Sequence, residues 1–217
     1  MAVAACAAAA PRLDTLSVER VWAELKRLLG AADPAPMIRL MATQRVLPHV
    51  LPGPRDVGWL ERLMALENAA PPVPLRRLAA LVGRLDAVEP VAQRLRLSRA
   101  ESARLAAILG AVAIVEQPPC RLVRRFGRAA ALDGVLLAEA RGLASAAAAT
   151  ARAKIADWIE VPLPVTGDDV LSLGVPPGRL VGEVLGQIAA WWEDNDCAAD
   201  RKACLAALRK LARKSKW

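Results

Sequence analysis

Apolar residues recur along this chain at helical spacing, and the interruptions fall at glycine, proline and capping residues. Val21, Trp22, Leu25, Leu28 and Leu29 line one face of a segment that Ser17 can cap and Gly30 can stop. Asp33-Pro34 supplies an N-cap and a first-turn proline for a second stripe, Met37, Ile38, Leu40 and Met41, which ends near Leu47-Pro48. After a Pro/Gly turn at 51–54, Trp59, Leu60, Leu63 and Met64 mark a third helix. Pro71, Pro72 and Pro74 break the chain ahead of a short helix over 75–85, and Pro90 opens another. Ser98 and Glu101 have capping-box spacing before Leu105, Ile108, Leu109 and Val112, where a long buried helix is expected. Pro118-Pro119 separates it from a helix over 120–126, stopped by Gly127, and 132–150 reads as one further helix.

Val161-Pro162-Leu163-Pro164 must be extended, because residues before proline avoid the α region, so 150–166 reads as a junction. Beyond it the punctuation predicts a helix over 167–173 stopped by Gly174. A restart at Pro177 runs to about Glu193, and Asp196 caps a last helix. No segment alternates with the period of a strand, and no unit repeats at fixed length. The expectation is an all-α chain of about ten helices, with a multi-helix body over 1–149 and a small helical tail over 150–217.

Composition supports that class. Of 217 residues 55% are hydrophobic, but the chain has one Phe and no Tyr, which argues against a sheet-based core. The net charge of +8 favours an anionic partner, although charge for solubility accounts for it equally well. Arginine outnumbers lysine 24 to 6, and Lys202, Lys210, Lys214 and Lys216 concentrate positive charge at the C-terminus. The four cysteines include no C-x-x-C pair and His49 is the only histidine, which disfavours zinc. Cys197 and Cys204, seven apart, are expected on one helix face as buried reduced thiols. Met1–Ala10 lacks the charged start and bulky apolar stretch of a signal peptide, and no uncharged run reaches about 18 residues. The chain therefore reads as soluble and cytoplasmic, without a membrane partner.

Residues for catalysis are hard to find. No phosphate-binding glycine loop is present. Asp194 and Asp196 have the D-x-D spacing of metal ligands, but they fall in a helix-to-helix turn and read as capping acids. Asp168 and Asp169 suit the first turn of a helix. His49 lies beside Pro48 in what reads as a helix-ending loop.

Binding residues are more evident. Arg121, Arg124, Arg125 and Arg128 follow at i, i+3, i+4 and i+7, a stripe that suits a phosphate backbone and equally a solvated face. The last helix points Lys202, Arg209, Arg213 and Lys216 away from Cys204, Leu205, Leu208 and Leu211, with Lys214 alongside. No acid follows Asp200, and some of this charge simply complements the helix dipole. Gly178 and Arg179 open a helix whose free N–H groups can accept a phosphate, or they form an ordinary tight turn. Adjacent Trp191 and Trp192 diverge by about 100°, so one of them is expected to pack elsewhere or to stack on a base.

Several of these segments resemble one family. Leu16-Ser17-Val18-Glu19-Arg20-Val21 with Glu24-Leu25, then Asp33-Pro34, Ile38-Arg39-Leu40-Met41 and Leu47-Pro48-His49-Val50-Leu51-Pro52, are similar to a stretch of bacterial CCA-adding enzymes and poly(A) polymerases. The run from Leu163 through Thr166-Gly167-Asp168-Asp169 to Pro177-Gly178, with Val181-Gly182, resembles the family's last shared stretch. The likeness covers nearly the whole chain but only the C-terminal half of the family. Of the motifs of the family's catalytic head, the G-S-x-x-R-like and E-D-x-x-R-like runs do not occur, and the one D-x-D spacing, Asp194 and Asp196, is the helix-to-helix turn already read as capping. The resemblance thus implies the end of the neck, the body and the tail, parts that hold tRNA, in a truncated or split enzyme. It implies no catalytic residue here, and Mg2+ with CTP or ATP only for the head. The expected function is tRNA binding within 3′-end processing, with no catalysis by this chain alone. The alternative is a protein-interaction scaffold that docks a separate head on its N-terminal helices, leaving Trp22 and Met1–Ala10 partly exposed in isolation.

Overall fold

A computed structural model describes residues 8–15, 17–53, 56–67 and 71–214. Among the described residues there are thirteen α-helices and no strand. In chain order the first seven are α1 (Val18–Leu29), α2 (Ala35–Thr43), α3 (Leu47–Val50), α4 (Val57–Leu66), α5 (Pro74–Val82), α6 (Val88–Leu95) and α7 (Arg99–Ala113). They are followed by α8 (Pro119–Phe126), α9 (Arg128–Ala140), α10 (Ser145–Ala156), α11 (Gly167–Leu171), α12 (Arg179–Asp194) and α13 (Arg201–Lys214). Short 3-10 turns occupy Ala10–Thr15 and Leu85–Ala87.

Local chemistry fixes most helix ends where the sequence placed them. Ser98 accepts from the Glu101 N–H at 3.2 Å, and Glu101 accepts from the Ser98 N–H at 3.1 Å, so the capping box is complete. Asp56 caps α4 by accepting from the Trp59 N–H. Four expectations are corrected here. Pro34, not Asp33, is the N-cap of α2, and no side chain bonds there. The alanine-rich run is two helices, α9 and α10, because Gly142 takes φ 113°, a value outside helical geometry that glycine tolerates. Asp200, not Asp196, caps α13, accepting from the Ala203 N–H at 2.8 Å. His49 lies inside the one-turn helix α3.

The body is built around α5 and α9. In α5 every residue from Arg76 to Val82 is buried, with α4, α7 and α1 packed on it. In α9, Gly134 touches α7 so closely that an added Cβ would lie 2.6 Å from the Ala111 Cβ. Backbones meet there without large side chains between them. Two arginines run through this core. Arg76 donates to Glu67 Oε1 and to Asp133 Oδ1, and Arg77 donates to Glu67 Oε2 through two nitrogens at 2.9 and 2.6 Å. Arg77 also donates to the Leu29 and Ala31 carbonyls, which lack helical partners at the end of α1. Burial pushes the Asp133 carboxyl up, against the pull of Arg76 and Arg104 toward the charged form. Among the described residues Arg141 Nε and Nη2 have no hydrogen-bond partner, and the guanidinium lies 4.4 Å from the Trp59 ring centre, where the ring face supplies attraction.

The tail has its own apolar cluster of Val165, Val170, Val184, Ile188, Trp192, Cys204 and Leu208. A separate cluster joins α8, α9 and α10 through Leu122, Val135, Ala148 and Ile155. The position 149/150 falls inside α10, which packs on α9. Trp192 is wholly buried and Trp191 packs half-buried against the same cluster.

Candidate nucleic-acid interface

The arginine stripe on α8 does not form one free face. Arg121 pairs with Glu193 and with Asp194 Oδ1 (2.8 Å) and donates to the Ala190 carbonyl, all on α12. Arg124 pairs with Glu193 Oε1 at 3.0 Å and lies 5.2 Å over the Trp192 ring. Arg128 donates to the Trp158 carbonyl. Arg125 alone stays on the outer side, 5.6 Å over Phe126. The pattern of the stripe is as the sequence predicted, but its ligand is the tail.

Asp194 and Asp196 are likewise taken up by cations: Asp196 pairs with Lys154 at 2.7 Å and accepts from the Cys120 N–H at 3.1 Å. They do not fit a Mg2+ site. Among the described residues no group of three or more His, Cys, Asp or Glu side chains is placed to hold a metal ion. Asp169 accepts from the Thr166 N–H and pairs with Arg201, which together hold its carboxyl below the usual range.

Gly178 is the N-cap of α12 at φ 121°, with open space around it, and Arg179 is 92% exposed and pairs with Glu183 one turn on. On α13, Cys204 and Leu208 are buried while Lys202, Arg209 and Lys210 are exposed and make no ion pair among the described residues. The helix continues to Lys214, but the side chains of Arg213 and Lys214 lie outside the described residues. The three candidate patches are therefore separate, and α13, whose Arg201 is taken up by Asp169, keeps Lys202, Arg209 and Lys210 without an ion pair among the described residues. No helix among the described residues is long and apolar enough to cross a membrane.

A further surface was not anticipated. A groove of about 1130 Å³ opens between α1 and α2, floored by Val21, Leu28, Met37, Leu40 and Met41 and edged by Arg20, Glu24 and Arg27. Met37 and Leu40 keep 49% and 37% exposure. Of the apolar stripe of α2, Met37, Leu40 and Met41 line the groove and Ile38 is buried. Trp22, which the scaffold alternative alone would leave partly exposed, is buried at 7%, donates to Glu101 Oε1 and has Lys26 over its ring. Of Met1–Ala10, residues 1–7 lie outside the described ones, Ala8 and Ala9 are exposed and Ala10 is buried.

Residues 2–56, which carry the groove, match a family described as the probable RNA and SrmB-binding site of polymerase A. The chain is 23% identical over 212 residues to the CCA tRNA nucleotidyltransferase 1, mitochondrial, of Mus musculus, covering 91% of this chain and 47% of that protein. It is 31% identical over 170 residues to the CC-adding tRNA nucleotidyltransferase of Deinococcus radiodurans, covering 78% of this chain and 37% of that protein. The chain thus spans less than half of either relative. Two relatives with one described chemistry, aligned along most of an all-helical chain, agree with the segments that resembled them: the chain belongs to the family of CCA-adding tRNA nucleotidyltransferases and poly(A) polymerases.

Proposed function

We propose that this chain binds tRNA or a tRNA-like RNA as the helical, RNA-holding portion of a CCA-adding-type nucleotidyltransferase, and does not catalyse nucleotide addition alone. The observation that carries the proposal is α13, an amphipathic helix on whose outer face Arg201 pairs with Asp169 while Lys202, Arg209 and Lys210 make no ion pair among the described residues. Such a face binds phosphates through counterion release, and an A-form stem is held by its shape and backbone. Arg179 and Arg125, both exposed, extend the charge from α12 and α8. The test is a salt titration of binding to intact tRNA, with duplex DNA of equal length as competitor. Preference for tRNA is expected, with affinity falling steeply as salt rises. The triple variant Lys202→Gln, Arg209→Gln, Lys210→Gln should flatten the slope of log K against log salt by about 2 to 3. Equal and weak binding of both nucleic acids, or an unchanged slope, overturns the proposal.

The groove favours a second reading, docking of a nucleotidyltransferase head. The relatives are more than twice as long as their aligned spans, and an apolar groove with exposed methionine and leucine suits burial against further protein. The part of the Deinococcus radiodurans relative outside the aligned span, supplied as a separate polypeptide, should form a complex in sedimentation. Met37→Lys with Leu40→Lys should abolish it. No complex with the unmodified chain removes this reading.

A further inference from the structure

Cys120 and Cys197 are 77 residues apart in sequence, yet their Cα atoms are 6.1 Å apart and the two are joined as a disulfide. That separation lies within the range of roughly 4.4–6.8 Å that a disulfide spans. Cys197 is not on a helix with Cys204, as its sequence spacing suggested. It sits in the turn between α12 and α13, at φ 55°, beside Asp196 at φ 53°. Cys204 stays in the tail core as a free thiol against the Ala199 carbonyl.

The surroundings of the pair are built to bring it together. Asp196 binds the Cys120 N–H and Lys154, while Glu193 and Asp194 bind Arg121 and Arg124. These contacts hold the α12–α13 turn against the first turn of α8 from both sides. Two consecutive non-glycine residues in the left-handed region need such external support, because their side chains disfavour that conformation. Yet two of the four ion pairs, Arg121–Asp194 and Lys154–Asp196, leave one partner more than half exposed, and salt weakens such pairs. The sulfur link is the covalent component, and salt does not weaken it.

We propose that Cys120 and Cys197 form a redox-sensitive latch that fixes the tail to the body. Cys120 is wholly buried and Cys197 half-buried, so exchange begins at Cys197. Its thiolate attacks glutathione disulfide, giving a mixed disulfide and one glutathione. The Cys120 thiolate then attacks the Cys197 sulfur and releases the second glutathione. The two protein thiols are oxidised, one glutathione disulfide is reduced to two thiols, and the two protons leave with them. Reduction runs the same steps backward and leaves the ion pairs, the Asp196 and Ala190 hydrogen bonds and the Arg124–Trp192 contact to hold the turn.

The experiment equilibrates the full chain in oxidised and in reduced glutathione, then reads intact mass, peptide linkage and hydrogen exchange in 179–211. Oxidation should remove two hydrogens, link Cys120 to Cys197 and leave Cys204 free. In high salt, exchange in 179–211 should be about tenfold slower for the oxidised than for the reduced chain. Cys197→Ser should match the reduced chain under both conditions, and Cys204→Ser should still lock. Failure of the link to form, a link that instead uses Cys204, or equal exchange in both states overturns the proposal. These readouts contain no RNA, so they stand or fall apart from the tRNA reading.

Discussion

Replacing Arg77 by alanine tests whether the buried charge cluster holds the body together. Arg77 is 4% exposed and Glu67 6%. The substitution removes both donors to Glu67 Oε2 and leaves Arg76 to hold Oε1 alone. Breaking a buried pair costs about 3–5 kcal/mol, and the surviving Arg76 contact puts this case near about 3 kcal/mol. The Leu29 carbonyl also loses its donor in a dry setting, adding about 1 kcal/mol, whereas Ala31 is exposed and water can replace the bond there. The sum is a loss of about 4 kcal/mol. With a urea m-value of about 2.5 kcal/mol/M, the unfolding midpoint of the body should fall by about 1.5 M. Arg77→Lys keeps the charge but loses the fork, and should fall between the two. The tail has its own apolar cluster, so a probe in 165–211 should shift less than one in the body. A loss below about 1.5 kcal/mol would refute the reasoning, since it would mean that Glu67 is satisfied without Arg77.

Two further outcomes follow from the fold. Burial opposes ionisation of Glu101, but donors from Lys26, Ser98 and Trp22 outweigh it and hold the carboxyl at about 2, below its ordinary 4.5. A depressed folded-state value stabilises above the unfolded value and is lost as pH falls through the folded one. The unmodified chain should therefore lose stability between pH values of about 4.5 and 2 more steeply than Glu101→Gln, as read by acid titration of the helical signal; parallel curves would show that Glu101 contributes nothing to acid unfolding. Gly134→Ala should lower stability by about 1–3 kcal/mol in thermal unfolding, because its Cβ would meet Ala111 at 2.6 Å and the Ile108 carbonyl at 3.1 Å; an unchanged midpoint would mean that α7 and α9 can separate freely.

What the sequence made legible was mostly local. The Ser98–Glu101 box, the stop at Gly127 and the break at Pro118-Pro119 are each set by residues a few positions apart. Where local signals tie, the reading slipped. Asp196 and Asp200 both suit an N-cap, and only the backbone between them separates the two. In 132–150 alanine carries little apolar contrast, so Gly142 looked tolerable inside one helix. The distant partners were out of reach. Arg76 and Arg77 look like surface arginines until Glu67 and Asp133 are placed beside them. The α8 stripe was found, but Glu193 lies 69 to 72 residues away and leaves no mark near it. Cys120 and Cys197 had no spacing to announce them, whereas the free face of α13 was legible because helix periodicity alone defines it.

The contact of α8 with α12 changes what the count of basic residues means. A net charge of +8 suggests a molecule ready for any polyanion. Yet Glu193 and Asp194 present to Arg121 and Arg124 what a nucleic-acid backbone also would: adjacent negative oxygens. They do so from the same polypeptide, at an effective concentration that an external strand must exceed before it gains a single contact. The tail is in this sense the resident competitor of α8. An anionic polymer would have to displace Glu193 and Asp194 before Arg121 and Arg124 could bind it, so the number of guanidinium groups on the helix overstates those that are free.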